Sequence, residues 1–270
     1  MNLHEFRMKH RKFLEMLQIL GIPFWKKVAS LSRSFASYTH KMLFLSEWCA
    51  NNPENFDHNI DLYYMWPKYC IPHWLERGIY NVLAMQIFEN PIVCELCCGE
   101  GFNTKFFYSV NAEKIYACDF DSNAIAEAKR KHNRENIEFV VADIRYQIPD
   151  TSNGKYFTNV IWDTAIEHFT EEEIDTIMRK IHDILSATNG IVSGHTIVKR
   201  FEGKSLEQHE YEFANMEDLK RFFSPYFKNV LVFETIYEDR HNLYFYASDG
   251  IIPFDNGWMH WDRKRLQNER

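Results

Sequence analysis

The chain has 270 residues, 46% of them hydrophobic, and a formal net charge of −7. This length and composition suffice for one domain with a full core plus an appendage. We find no apolar run near the roughly 20 residues that a membrane-spanning helix needs and no secretory signal peptide, so we expect a cytoplasmic protein. The negative charge argues against nucleic acid as the main partner.

The charge is unevenly distributed along the chain. Residues 1–41 hold eight Lys or Arg and two Glu, a local charge of +6, which leaves −13 for the remainder. A basic arm of this kind can touch an anionic membrane surface or a partner, or it can form a solvated helical face packed on the domain. Apolar spacing predicts helices over 3–20 and 30–49, so we expect residues 1–71 to form an N-terminal helical extension or lid.

From residue 72 onward, strand-like and helix-like segments alternate. After a helix over 73–87, the predicted strands are 92–98, 114–118, 137–141, 158–163 and 190–197, and the predicted helices are 102–110, 122–134, 171–187 and 216–224. This alternation indicates a parallel sheet with helices on both faces. Two β-rich runs, 229–236 and 242–248, predict a hairpin that adds an antiparallel strand. The main domain is therefore expected over 72–250, followed by a tail over 251–270 in which 258–270 is helical.

The segment from Val93 to Thr104 indicates a buried strand that breaks into a glycine turn and then opens a helix. Glu95 lies inside the apolar strand, and a buried carboxylate is costly unless a cation or donor meets it. Gly99 and Gly101 allow a sharp bend and a close approach to main-chain N–H groups. This strand end is therefore predicted to face a ligand with positive charge or several donors.

The cysteines suggest a structural role. Cys94, Cys97, Cys98 and Cys118 fall on predicted strands or their ends. No second Cys/His pair stands at zinc-finger spacing, so we expect small apolar packing residues and no metal.

Acidic residues end three successive predicted strands. Asp119, Asp143 and Asp163 meet at one edge if the strands are parallel, and ligands bind at that edge in open sheets. Asp119 stands 20 residues after the first glycine, where a carboxylate can accept both hydroxyls of a ribose. Asp143 can accept from an exocyclic amine, with Phe120 and Ile144 as apolar walls for a flat base. Each acid alone is more often a helix cap or a solvated loop charge, and the prediction of a site rests on all three together.

Four segments resemble, in order, the motifs of class I S-adenosylmethionine-dependent methyltransferases: 95–101, 118–121, 142–144 and 163–168. The resemblance covers about residues 72–248. It implies a Rossmann-like, doubly wound sheet of seven mostly parallel strands with an antiparallel C-terminal hairpin strand. Cys97-Cys98 departs from the family, which often has Gly or Ala before Cys.

The resemblance also implies S-adenosyl-L-methionine as the cofactor. The glycines would border its methionine moiety, Glu95 would lie near its amino group and Arg77 near its carboxylate. Asp119 would bind the ribose, Phe120 would stack on adenine and Asp143 would accept from the adenine amine. The full set of expected cofactor residues is Arg77, Glu95, Cys97, Gly99, Gly101, Asp119, Phe120, Asp143, Ile144 and Asp163.

Methyl transfer is an in-line displacement in which the protein positions the acceptor and removes its proton. His168 and His195 are the predicted catalytic bases, with Glu167 orienting the imidazole, although each histidine also suits ordinary packing. The stretch 209–213 is predicted to form an acceptor wall or a polar loop.

The acceptor is less clearly indicated. Residues 162–165 are not the Asn/Asp-Pro-Pro-aromatic run of adenine or glutamine amino-methylating enzymes. The motifs resemble those of small-molecule methyltransferases encoded with bacterial surface-polysaccharide genes, which favours O-methylation of a sugar. The alternatives are a methyltransferase acting on RNA or another macromolecule, a nicotinamide-dependent oxidoreductase and a non-catalytic scaffold. The acid in the first strand and Thr104 in place of a third glycine argue against the oxidoreductase.

Overall fold

The structure is a computed structural model that describes residues 72–151, 156–199, 207–237 and 240–255. The helices predicted over 3–20, 30–49 and 258–270 lie outside the described residues. Within the described part of the chain, no helix combines the length and apolar character needed to cross a bilayer.

The described residues form one seven-stranded sheet. The strands are β1 (Ile92–Leu96), β2 (Lys114–Asp119), β3 (Ile137–Val141), β4 (Asn159–Asp163), β5 (Ile191–Ile197), β6 (Asn229–Ile236) and β7 (His241–Ser248). Their order is β3-β2-β1-β4-β5-β7-β6. Strands β1 to β5 are parallel, whereas β7 runs antiparallel to both β5 and β6. The predicted Rossmann-like fold with its antiparallel hairpin strand is confirmed.

In the part of the chain that the structure describes, four α-helices accompany these strands: α1 (Pro72–Met85), α2 (Ser122–His132), α3 (Glu171–Leu185) and α4 (Met216–Phe223). Helix α3 begins with a capping box, in which Thr170 and Glu173 each bind the other's main-chain N–H. Asp121 caps α2 by accepting from the main-chain N–H of Asn123. The helix predicted over 102–110 is shorter, and its main part is a π-helical turn (Thr104–Tyr108).

Every side chain of β1 is buried, although successive side chains point to opposite faces of the sheet. On β1, Cys94 and Leu96 join the larger apolar cluster with Trp162, whereas Val93 joins the cluster on the other face. Glu95 therefore shares the face of Val93 and lies 4% exposed.

The winding of the sheet reverses at β1, which pairs with β2 on one side and β4 on the other. The registers place Leu96 opposite Cys118 and Trp162, and Asp163 opposite His195. The carboxyl ends of β1, β2, β4 and β5 thus share one edge, where ligands bind in this class of sheet.

Candidate functional site

The loop after β1 alternates between ordinary and left-handed backbone. Cys97, Gly99 and Gly101 have φ angles of 57°, 55° and 76°. A Cβ at Gly99 would meet no atom within 4 Å, so this part of the loop faces open space, whereas a Cβ at Gly101 would lie 2.7 Å from the ring of Phe139. Cys97 carries a side chain in a conformation that costs about 1–2 kcal/mol.

Asp119 links this loop to the end of β2. It is buried, and its Oδ2 accepts from the main-chain N–H of Gly99 at 3.0 Å while its Oδ1 accepts from that of Asp121 at 2.9 Å. The neighbouring Phe120 is 70% exposed, so its ring is accessible for stacking. This arrangement is compatible with the ribose and adenine roles expected of the two residues, which remain predictions.

Glu95 is the one carboxylate of β1, and it lies beneath the loop. Among the described residues, no donor hydrogen-bonds its Oε2 atom. The pKa of Glu95 is raised to about 8, chiefly by burial and also by the charge of Asp163, while Thr104 and the charge of Arg77 act in the opposite direction. At neutral pH the group is therefore largely protonated, and a cationic ligand would favour its charged form.

Arg77 reaches Asp163 across the site. Its Nε and Nη2 donate to Asp163 Oδ2 at 3.0 and 2.7 Å, and Asn103 Nδ2 donates to the same oxygen at 3.3 Å. Both charged side chains are largely buried, with 16% and 6% exposure. The guanidinium is thus engaged by a carboxylate of the protein, a pairing that the sequence did not indicate, and its contact with a cofactor carboxylate remains a prediction.

Asp143 is also paired within the protein. Arg145 donates to both of its oxygens at 2.6–3.1 Å, and this contact lowers the pKa of Asp143. Ile144 is 2% exposed and packs in the core, so it offers little surface to a base. Their expected contacts with adenine remain predictions, and the geometry supports them less than those of Asp119 and Phe120.

His195, a predicted base, is completely buried. Its Nδ1 lies 3.0 Å from Thr164 Oγ1 and 3.7 Å from Asp163 Oδ1, and its Nε2 lies 3.2 Å from Asn242 Oδ1. Asn242 Oδ1 also accepts from Arg240 Nε at 2.7 Å, so we assign the proton of the imidazole to Nε2. With both nitrogens engaged inside the sheet, His195 is better suited to fixing the end of β4 than to meeting an acceptor.

Glu167 and His168 lie in a 3₁₀ turn (Ile166–His168) just after β4, and His209 comes close to them from the loop that follows β5. One nitrogen of each imidazole and one Glu167 oxygen lie within 4.8 Å of one another. The loop is fixed there because the main-chain N–H groups of Glu210 and Tyr211 donate to the carbonyl oxygen of Glu167. We call Glu167, His168 and His209 the acceptor-side cluster.

The charge of Glu167, a member of the acceptor-side cluster, affects the pKa of Cys97 in the glycine loop. Burial, followed by Cys118 and the carboxylates of Asp119, Asp143 and Glu167, raises the pKa of the Cys97 thiol. Cys97 thus feels the charge of Glu167 as well as that of the predicted ribose ligand. The stretch 209–213, predicted as an acceptor wall, supplies His209, but the sequence did not indicate that this imidazole would meet His168.

Residues 93–188 match the family model described as "Methyltransferase domain". A search of curated proteins found no match. Among solved structures, the chain is similar to the N-methyltransferase NodS from Bradyrhizobium japonicum WM9, with a TM-score of 0.52 and 14% identity over 66% of this chain and 97% of that chain. The methyltransferase domain of bacterial CtHen1 gives a TM-score of 0.51 and 14% identity over 65% of this chain and 98% of that one.

TehB from Haemophilus influenzae is similar at a TM-score of 0.50, with 17% identity over 69% of this chain and 66% of that one. At sequence identities of 14–17%, the similarity to these three structures is evidence for the fold alone. The enzyme class rests on the family match. That match bears out the predicted class, a methyltransferase, and with it S-adenosylmethionine as the cofactor. The residues present fit this cofactor, because Gly99 faces open space and, among the described residues, Oε2 of the buried Glu95 carboxyl lacks a donor that an ammonium group would supply.

Proposed function

We propose that this protein methylates a hydroxyl group of a small molecule, such as a sugar. The main support for this proposal is that two imidazoles and a carboxylate meet beyond the end of β4, those of His168, His209 and Glu167. A hydroxyl must lose its proton as it is methylated, so groups that take or stabilise a proton near neutrality suit such an acceptor. The negative net charge of −7 is unfavourable for a long phosphate track.

The cofactor supplies a methyl group that is already activated by a sulfonium. On the protein side, we assign Glu95 to its ammonium group, Asp119 to its ribose hydroxyls and Phe120 to its base. The main-chain contact of Asp119 with Gly99 holds these groups in one arrangement, which positions reactants before the chemical step.

We assign the acceptor hydroxyl to His168. Its Nδ1 lies 3.2 Å from the carbonyl oxygen of Gln208, which can only accept, so Nδ1 carries the proton and Nε2 has the lone pair. His168 is also only partly buried, unlike His195. Of the two histidines predicted as bases, His168 is therefore the one that an acceptor can reach.

The first experiment compares ligands. Thermal unfolding of the full-length protein with S-adenosylhomocysteine is expected to show stabilisation, whereas NADH should give none. Stabilisation by NADH alone would favour the oxidoreductase alternative and overturn the proposal.

The second experiment identifies the acceptor class. Methyl-labelled S-adenosylmethionine is incubated with separate pools of free sugars, nucleotide sugars and total RNA, and labelled products are analysed by mass spectrometry. We expect an O-methylated small molecule. Label that enters only RNA, or only nitrogen atoms, would refute the proposed acceptor.

The third experiment tests the assignment of His168. His168→Gln is expected to lower turnover at least about 100-fold, within the usual contribution of a general base, and to leave the affinity for S-adenosylhomocysteine unchanged. The control is His241→Gln, because His241 pairs with Glu234 on the hairpin and is not a member of this cluster. Full activity of His168→Gln would contradict the assignment.

A further inference from the structure

The acceptor-side cluster has the composition of a metal site. Glu167, His168 and His209 each offer one ligand atom, and these atoms lie within 4.8 Å of one another. The side chains of Glu167 and His209 are 2% exposed, whereas His168 is partly exposed at the mouth of the cluster. The cluster is thus enclosed on the protein side and reachable from one side.

Each potential ligand is oriented by a further hydrogen bond. Glu167 Oε2 accepts from Thr196 Oγ1 at 2.9 Å. His168 Nδ1 donates to the carbonyl oxygen of Gln208 at 3.2 Å, and His209 Nδ1 lies 2.7 Å from Glu212 Oε1. Metal-binding histidines almost always donate their other ring N–H to a carbonyl or carboxylate, and ligating carboxylates are hydrogen-bonded in turn.

These contacts determine which atoms are left to bind. With Nδ1 of both imidazoles donating, we assign the lone pair of each ring to Nε2. We take Nε2 as the atom that each imidazole contributes to the cluster, in which one nitrogen of each ring and one Glu167 oxygen lie within 4.8 Å of one another. Within the described part of the chain, the hydrogen bonds of the two imidazoles use Nδ1 only. Three acceptors brought together repel one another unless a cation or a shared proton lies between them.

We propose that Glu167, His168 and His209 bind one divalent transition-metal ion, which holds the acceptor hydroxyl during methylation. This inference rests on the proposed function for the identity of the acceptor, but the ion site itself does not. Two imidazoles and one carboxylate suit ions of the series from Mn²⁺ to Zn²⁺, whereas Ca²⁺ and Mg²⁺ prefer oxygen ligands throughout.

The proposed ion changes the role assigned to His168. Three protein ligands leave at least one coordination position open, which is typical of catalytic rather than structural sites. A hydroxyl bound there has its pKa lowered by the ion and releases its proton to water. His168 then acts as a ligand rather than as the base, and its replacement removes the ion together with the activity.

The test uses the full-length protein after removal of metal with a chelator. Zn²⁺, Mn²⁺ or Co²⁺ alone is titrated and followed by calorimetry, and Co²⁺ also by its visible absorption. We expect saturation at one ion per chain for at least one of these metals. His168→Gln and His209→Gln are expected to weaken binding by more than about 100-fold. Glu212→Gln, which removes only the orienting carboxylate, should weaken it by about 10–100-fold.

The matched control is again His241→Gln, because His241 is also a histidine paired with a glutamate, Glu234 at 2.7 Å. Its ion affinity and its activity are expected to equal those of the unmodified protein. Affinity for S-adenosylhomocysteine is measured for every variant to show that each one is folded. Since His209 is the more deeply buried ligand, His168→Gln decides the question if His209→Gln does not fold.

Absence of saturable binding for all three ions would overturn the inference, and so would equal binding by His168→Gln, His209→Gln and the unmodified protein. Full methyl transfer after chelation would overturn the role of the ion in the reaction. Failure of the proposed function gives a different pattern, in which the ion binds at the cluster but S-adenosylhomocysteine does not stabilise the protein.

Discussion

Replacing Glu95 by Gln is expected to change how the stability of the cofactor-free protein depends on pH. Glu95 is 4% exposed, and no donor in the described residues hydrogen-bonds its Oε2. A neutral amide of the same shape removes the ionisation and leaves the packing of β1 in place. The replacement therefore isolates the effect of the buried carboxyl group.

The magnitude follows from the pKa, which burial raises from 4.5 to about 8 in the folded state. Between these values the folded protein binds more protons than the unfolded chain, so the free energy of unfolding falls as the pH rises. One pKa unit corresponds to about 1.4 kcal/mol, and integration from about pH 5 to about pH 9 gives a loss of about 4 kcal/mol from this group. The Glu95→Gln variant has no ionisable group at this position, so its free energy of unfolding does not show this decrease.

The assay is equilibrium urea unfolding of both proteins across this pH range. Burying the new amide N–H groups of the variant has a cost of its own, which lowers its stability by an amount that does not depend on pH. We therefore compare the free energy of unfolding of the variant with that of the unmodified protein at each pH. From about pH 5 to about pH 9 this difference is expected to shift by about 4 kcal/mol in favour of the variant. Glu138→Gln serves as the control, because Glu138 is a half-exposed glutamate on β3.

Parallel stability profiles for Glu95→Gln and the unmodified protein, within about 1 kcal/mol, would show that Glu95 ionises normally and would refute the reasoning. Saturating S-adenosylhomocysteine is expected to flatten the slope of the unmodified protein, since an ammonium group beside Glu95 favours the carboxylate.

Three further replacements test the framework around this group. Asp119→Ala is expected to weaken binding of S-adenosylhomocysteine by about 1.5–3 kcal/mol through lost charge-assisted hydrogen bonds, as measured by calorimetry. Arg77→Met should lower the free energy of unfolding by about 3 kcal/mol because it leaves Asp163 buried without its cation, and adding Asp163→Asn should recover part of the loss. Gly101→Ala should cost about 2 kcal/mol or more in urea unfolding, since φ is 76° and the new Cβ would meet Phe139 at 2.7 Å. Unchanged values in any of these assays would contradict the corresponding contact.

The sheet could be predicted because its strands are short apolar runs separated by helical periodicity, as expected for strands buried on both faces. The errors concern element ends. The first strand was predicted to extend to residue 98 but ends at Leu96, because Cys97 adopts a positive φ to enter the glycine loop. The helix over 102–110 became largely a π-helical turn, a local distortion that apolar spacing does not reveal.

The candidate site could be predicted where it depends on strand ends alone. Glu95, Asp119 and Asp163 share one edge because parallel strands end on the same side. Their partners could not be predicted, since Arg77 lies 86 residues before Asp163 and the pairing depends on how α1 packs. His195 seemed suited to catalysis from its position near a strand end, but it is completely buried, with the ring of Tyr244 5.0 Å from its own and both nitrogens in contact with protein groups.

The buried polar groups without a hydrogen bond carry the strongest argument for where ligands belong. Within the described residues, Glu95 Oε2 and Asp163 Oδ1 have no such partner, and the strand register places both side chains on the same face, at the ends of β1 and β4. An unmet buried polar atom costs about 1–3 kcal/mol, so two of them at the ligand-binding edge of the sheet favour a ligand that supplies the missing contacts. Asp119, in contrast, accepts one main-chain N–H at each of its oxygens, which helps to hold the loop and leaves lone pairs for ribose hydroxyls. The site therefore combines a loop that Asp119 holds in place with buried polar atoms that lack a hydrogen bond. A bound cofactor that supplies donors to Glu95 and its neighbours would stabilise the protein as it binds.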